Sequence, residues 1–126
     1  MAQTDVRRYS ALARSTETFG RVLCSARTQH FVVDGPVQNG CPGEAVSPGE
    51  LFLAGVATCG VELVQVIAAQ QNVPVQAVSA TIEGVQDRGQ PVRSDLSVFN
   101  SVRLVFHLSG VTAEQGTQLI EAFKRR

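Results

Sequence analysis

Hydrophobic and polar positions divide the chain into two alternating regions on either side of one long apolar run. The run is Ser47–Asn72, SPGELFLAGVATCGVELVQVIAAQQN, apolar on every side from Leu51 to Val61 with Ala54, Gly55, Ala57 and Gly60 threaded through it. Both ends are written in helix chemistry. Ser47 caps, Pro48 takes the first position where its missing N–H costs nothing, and Glu50, three residues on, completes a capping box. At the far end Pro74 pushes Val73 out of the helical region. The pattern predicts a helix of about 25 residues, roughly 37 Å long. A helix with no polar face is one buried on all sides. Glu62 and Gln65 come too soon for a membrane span.

Before this run, Arg21–Ala26 (RVLCSA) and Gln29–Asp34 (QHFVVD) read as strands joined by a tight turn at Arg27-Thr28. Val6, Tyr9, Leu12 and Ala13 fit one helical face, so a short helix is expected within Met1–Thr18. Val37–Val46 has turn formers and no period, and reads as a loop. After Pro74, Val78, Ala80 and Ile82 alternate with Ser79, Thr81 and Glu83. Ser101–Leu108 alternates in the same way, and the polar stretch 86–100 connects the two strands. Thr112 caps an amphipathic helix over Ala113–Arg126, with Leu119, Ile120 and Phe123 on its apolar side. The order ββαββα predicts one α+β domain over residues 1–126, helices packed on one face of an antiparallel sheet.

Composition narrows the function. Basic and acidic residues number 11 each without a cluster of like charge, which argues against nucleic acid and anionic membrane partners. Met1–Thr18 has no apolar core of the kind a signal peptide carries, so a cytoplasmic protein with free thiols is expected. The three cysteines are irregularly spaced, giving neither a disulfide framework nor a metal site, and no cofactor is implied. By itself, Cys59 in an apolar helix would be an inert small hydrophobe.

One stretch changes that reading. SPGELFLAGVATC resembles the central-helix motif of the OsmC/Ohr family, the osmotically induced protein C-like proteins and organic hydroperoxide reductases. In that family a strand hairpin and a loop precede a Pro-x-Glu-Leu-type helix start, and a cysteine follows about two and a half turns later. The order of elements over Arg21–Arg126 is also the family's. The resemblance implies an intertwined homodimer with the two central helices packed at its middle, which would cover a helix that is apolar all round. Residues 1–18 would then be an extension. The end of the family domain, where a second cysteine usually follows the last helix, would be missing beyond Lys124-Arg125-Arg126.

The resemblance makes Cys59 the peroxidatic thiol. A thiolate attacks the terminal oxygen of a hydroperoxide, releases the alkoxide and becomes a sulfenic acid. An ordinary cysteine, of pKa about 8.5, supplies little thiolate at neutral pH. The helix dipole fades within the first turn, so a cation must come from elsewhere, and Glu62 on the face of Cys59 opposes a negative charge there. In the family the cation is an arginine of the N-terminal strands. Arg21 and Arg27 are the candidates, with Arg21 favoured because it follows Gly20. His30, on the same hairpin, reads as structural.

Glu50 is the candidate catalytic acidic residue, although some members carry it one position earlier, at the place of Gly49. Nine residues put Glu50 opposite Cys59 and roughly 13 Å away along the helix, so capping is its safe role. Cys41 is the resolving candidate, with Cys24 or an external thiol as alternatives. Leu51, Phe52, Val56 and Leu63 form an apolar wall suited to bulky hydroperoxides. Two functions follow. One is a thiol peroxidase for organic hydroperoxides served by an external thiol reductant, an oxidative-stress defence. The other is a non-catalytic protein of the same fold that binds a small ligand or senses oxidants.

Overall fold

The capping box at Ser47 forms as its spacing predicts. In the computed structural model, which describes residues 5–125, the Ser47 N–H donates to Glu50 Oε1 at 2.9 Å and the Glu50 N–H donates to Ser47 Oγ at 3.2 Å. The helix that follows, α1, runs Pro48–Gln70. Its end is closed by Asn72, which adopts φ 55°, while the N–H groups of Asn72 and Val73 donate to the carbonyls of Ala69 and Ala68. This is a Schellman closure with asparagine in the left-handed position usually held by glycine. Val73 also packs on the core, which supplies the apolar contact such closures carry.

The chain divides after Leu51 into two compact units. The first contains a three-stranded antiparallel sheet in the order β1 (Leu12–Ser15), β2 (Arg21–Ala26), β3 (Gln29–Asp34). The expected N-terminal helix is not there: Leu12–Ser15 pairs with Val22–Ser25 instead. All four residues of β1 are exposed, so the strand is held by its backbone ladder and leaves no alternating pattern to read. The part of that expectation at residues 1–4 lies outside the described residues. The β2–β3 hairpin turns at Arg27-Thr28, with Arg27 at φ 56°, and its register sets Arg21 opposite Asp34. A single 3₁₀ turn, Val37–Asn39, interrupts the following loop.

The second unit contains the rest of α1, an antiparallel pair β4 (Ala77–Val85) and β5 (Ser101–Ser109), and α2 (Ala113–Lys124). The architecture is therefore α+β as expected, but with two antiparallel sheets in place of one. Thr112 and Gln115 form a second capping box at the start of α2, and Arg126, expected in that helix, lies outside the described residues. Val64, Ile67 and Ala68 of α1 and Leu119 of α2 are buried together. Phe106, Leu108, Val78, Ile120 and Phe123 pack around them.

Within the single chain the burial of α1 is one-sided. Only Gly60, Val64, Ile67 and Ala68 are buried, a stripe about 100° wide, while Leu51, Phe52, Val56 and Val66 are exposed. A correction concerns the expectation that Glu62 and Gln65 come too soon for a membrane span. By length and composition α1 is long and apolar enough to cross a membrane, yet its C-terminal half supplies the core just described.

Gly60 shows how tightly that half is packed. A Cβ there would lie 2.8 Å from Phe106 Cζ and 3.4 Å from Phe123 Cζ, and these rings already meet edge to face at 5.2 Å. Gly60→Ala is expected to destabilise the protein by about 1–2 kcal/mol, the overpacking strain exceeding the helical gain of alanine over glycine. Urea unfolding at neutral pH measures it, and an unchanged or higher midpoint would show that the rings yield freely.

Candidate active site

Arg21 is held by two carboxylates in the first unit. Its Nε donates to Asp34 Oδ1 at 2.8 Å and its Nη2 donates to Asp34 Oδ2 at 2.9 Å, a two-pronged pair across the hairpin. Nη2 also donates to Glu44 Oε1 at 2.9 Å. Asp34 is completely buried at 0% exposure and accepts two further bonds from the N–H groups of Glu44 and Ala45, at 3.0 and 2.8 Å. Four donors thus surround one buried carboxylate, and charge-assisted bonds of this kind are the strong ones.

The Arg21 guanidinium first, and the Ala45 and Glu44 amides after it, hold the Asp34 carboxyl well below the usual carboxylate range against the opposing effect of burial. The same contacts, Asp34 before Glu44, push Arg21 above its ordinary value, so it stays charged. Nη1 makes no hydrogen bond among the described residues beyond these, and the Arg21 side chain is 31% exposed. Arg27, the other candidate, sits at the hairpin tip with no ion pair among the described residues.

The loop that carries Glu44 is seated by Cys41. A Cβ on Gly35 would fall 2.5 Å from Cys41 Sγ, and one on Gly20 would collide with the same sulfur. Gly20 also has φ 80°, so glycine is required there twice over. The Gly35 N–H donates to the Gly20 carbonyl at 2.8 Å. Cys41 is thus a packed, half-buried thiol between two glycine backbones rather than one on an open loop. Cys24 is half-buried in β2, and all three cysteines are free. His30 Nδ1 shares a 2.7 Å hydrogen bond with Ser25 Oγ, a cross-strand contact that accounts for it.

In the second unit Cys59 is exposed on α1. At 100° per residue, Phe52, Val56, Leu63 and Val66 lie within about 60° of it on the helix surface. Three of the four expected wall residues therefore share its face, and Leu51 lies about 80° away. Glu50 is not among them. Its carboxylate accepts the Ser47 N–H, and its pKa is lowered by that bond first and by the Ser47 hydroxyl second. A groove of about 400 Å³ between β5 and α2 is lined by Phe106, Leu108, Val111 and Ile120 and by none of the candidate site residues. Among the described residues no cluster of His, Cys, Asp and Glu could hold a metal ion.

A model of the OsmC-like protein family matches residues 41–126. The chain belongs to that family. No curated protein sequence matches it significantly, but solved structures extend the likeness over the N-terminal sheet. An OsmC-like protein from Mycoplasma pneumoniae aligns with a TM-score of 0.81 at 14% identity, over 98% of this chain and 84% of that one. An organic hydroperoxide resistance protein OsmC from Legionella pneumophila gives 0.71 at 23% identity, over 97% and 85%. The organic hydroperoxide resistance protein OhrB of Bacillus subtilis gives 0.63 at 20% identity, over 94% and 84%. Identities this low establish the OsmC fold.

Proposed function

We propose that this OsmC-family chain is a thiol-dependent peroxidase that reduces organic hydroperoxides, with Cys59 as the peroxidatic thiol and Arg21 as its activating cation. The supporting observation is the Arg21 clamp. Two nitrogens are spent on buried Asp34 and on Glu44, which fixes the guanidinium plane and leaves the Nη1 donors free among the described residues. A guanidinium held in advance costs no reorganisation when negative charge develops on sulfur or on the departing oxygen. The relatives from Legionella pneumophila and Bacillus subtilis, both organic hydroperoxide resistance proteins, support the substrate class.

In the reaction the Cys59 thiolate bonds to the terminal oxygen, the O–O bond breaks, and the alkoxide leaves to take a proton from solvent. An external dithiol then reduces the sulfenic acid, releasing water and becoming a disulfide. External reduction is favoured because Cys41 is packed between glycines and Cys24 lies within a strand. We further propose a cytoplasmic homodimer, in which a second copy covers the exposed apolar face of α1. Leu51, Phe52, Val56 and Leu63 would wall the substrate, and Glu50 would act chiefly as a helix cap.

Stopped-flow consumption of peroxide with excess dithiol tests this. Cumene hydroperoxide is expected to react at least about 10-fold faster than hydrogen peroxide. Arg21→Lys is expected to lose about 100-fold, because an ammonium drawn onto Asp34 presents no rigid outward donor. Two observations favour the non-catalytic alternative: Arg21 is matched by two carboxylates, Asp34 and Glu44, and Gly49 stands where some members carry glutamate. Wild-type protein that oxidises once at Cys59 without turning over would decide for the sensor.

A further inference from the structure

Glu50, Cys59 and Glu62 are the ionisable side chains of the 23-residue helix α1. Glu50 is spent on the Ser47 cap. Glu62 is exposed and makes no ion pair among the described residues. Its charge therefore serves neither a helix cap nor a structural clamp.

Glu62 follows Cys59 by three residues, which sets the two about 60° apart around the helix and about 4.5 Å apart along it. Side chains at this spacing are neighbours, with Cβ atoms about 5–6 Å apart. Long side chains in a helix also lean over the turn that precedes them, so Glu62 reaches back toward the turn of Thr58 and Cys59. Phe52, Val56 and Leu63 flank the cysteine on its other side. A cavity of about 330 Å³ between α1 and β4 opens beside Glu62, lined by Ala57, Thr58, Val61, Glu62, Gln65 and Ala80. The carboxylate thus has room to move, and a cavity with such polar groups in its lining accommodates water.

A fixed negative charge at this place opposes a thiolate. The same proximity turns favourable when the carboxylate takes the proton of the thiol. We infer that Glu62 is a catalytic residue, carrying the proton of the Cys59 thiol to the oxygen that leaves the peroxide. The inference rests on the proposed peroxidase function and refines its proton step. The S–H group gives its proton to the Glu62 carboxylate, and the electron pair left on sulfur bonds to the terminal oxygen. The O–O bond breaks with its electrons on the departing oxygen, which takes the proton from the carboxyl group. Sulfur is oxidised to the sulfenic acid, the peroxide is reduced to the alcohol, and Glu62 returns to the carboxylate. A thiol is a stronger acid than an alcohol, so the overall transfer is downhill. General acid–base catalysis of this kind contributes about 100-fold or more.

Single-turnover oxidation of Cys59 by stopped flow tests this with two peroxides, cumene hydroperoxide and peracetic acid. The first expels an alkoxide that needs a proton, and the second expels acetate, which does not. Glu62→Gln, nearly isosteric at an exposed position, is expected to lose about 100-fold on cumene hydroperoxide and less than about 3-fold on peracetic acid. Glu62→Ala should show the same selective loss, with partial recovery on cumene hydroperoxide when formate is added. Equal losses on both peroxides would reduce Glu62 to a structural part and overturn the inference. A gain on both would overturn it too, because Glu62 would then act on the thiolate only as a like charge. Wild type inert toward both peroxides would sink the peroxidase function itself, and this inference with it. An active wild type matched by Glu62→Gln leaves that function standing and removes the inference alone.

Discussion

Cys59→Ser is expected to reduce the rate of cumene hydroperoxide consumption by at least about 1,000-fold, while folding is unaffected. Oxygen transfer from a peroxide needs a polarisable nucleophile that is anionic near neutral pH, and a serine hydroxyl offers neither property. The substitution is nearly isosteric at an exposed helical position, so little packing is at stake. Cys24→Ser and Cys41→Ser should keep turnover within about 3-fold under excess external dithiol, since neither sulfur is required to resolve the sulfenic acid. Mass spectrometry after one equivalent of peroxide should find the added oxygen, or a mixed disulfide with the reductant, on Cys59. Full activity in Cys59→Ser would remove the peroxidatic assignment. A stoichiometric Cys41–Cys59 disulfide would replace the external thiol with an internal one.

Much of the frame that carries these residues was legible from local chemistry. Ser47, Pro48 and Glu50 gave the start of α1, and the alternation of Val78, Ala80 and Ile82 with Leu104, Phe106 and Leu108 gave both strands of the second sheet. Their register pairs those residues directly: Val78 with Leu108, Ala80 with Phe106, Ile82 with Leu104. What failed to show was held by backbone alone or by long-range contacts. β1 has four exposed residues and no period, so the weak helical spacing of Val6, Tyr9, Leu12 and Ala13 is the stronger local signal there. The uniform apolarity of α1 concealed which face is covered, because the covered stripe is set by β5 and α2, well downstream in the chain. The stacking of Phe99 on Phe52 belongs to the same class, since a residue in a polar connection gives no local sign of its seat.

The Arg21–Asp34 pair is different, because a signal for it was present. A two-residue turn at Arg27-Thr28 sets Ala26 opposite Gln29, and counting back five places sets Arg21 opposite Asp34. The hairpin itself therefore supplies a partner for Arg21. Glu44 could not have been found that way. Its approach depends on the fold of the 35–46 loop, which is pinned by Cys41 against Gly20 and Gly35 and by the Asp34 carboxylate.

Asp34→Ala is accordingly expected to cause the largest loss of stability of any substitution considered, lowering the thermal midpoint by about 10 °C or more. The side chain is fully buried and accepts from Arg21 twice and from the Glu44 and Ala45 amides. Alanine leaves those donors without a partner and frees the loop that holds Glu44 beside Arg21. Peroxidase activity should fall with it, because the guanidinium then swings on Glu44 alone. The pH dependence gives a second, independent signature. Asp34 has a folded pKa depressed by Arg21, so its contribution is fully present above the unfolded carboxyl value of about 4 and is lost progressively as the pH falls below it. Wild type should therefore lose stability steeply between about pH 4 and pH 2, and Asp34→Ala should show a shallower slope over the same interval. Urea midpoints at pH 7, 4, 3 and 2 for both proteins measure this. Parallel curves would mean that the clamp adds nothing to the folding free energy, and that the rigidity assigned to Arg21 has another source.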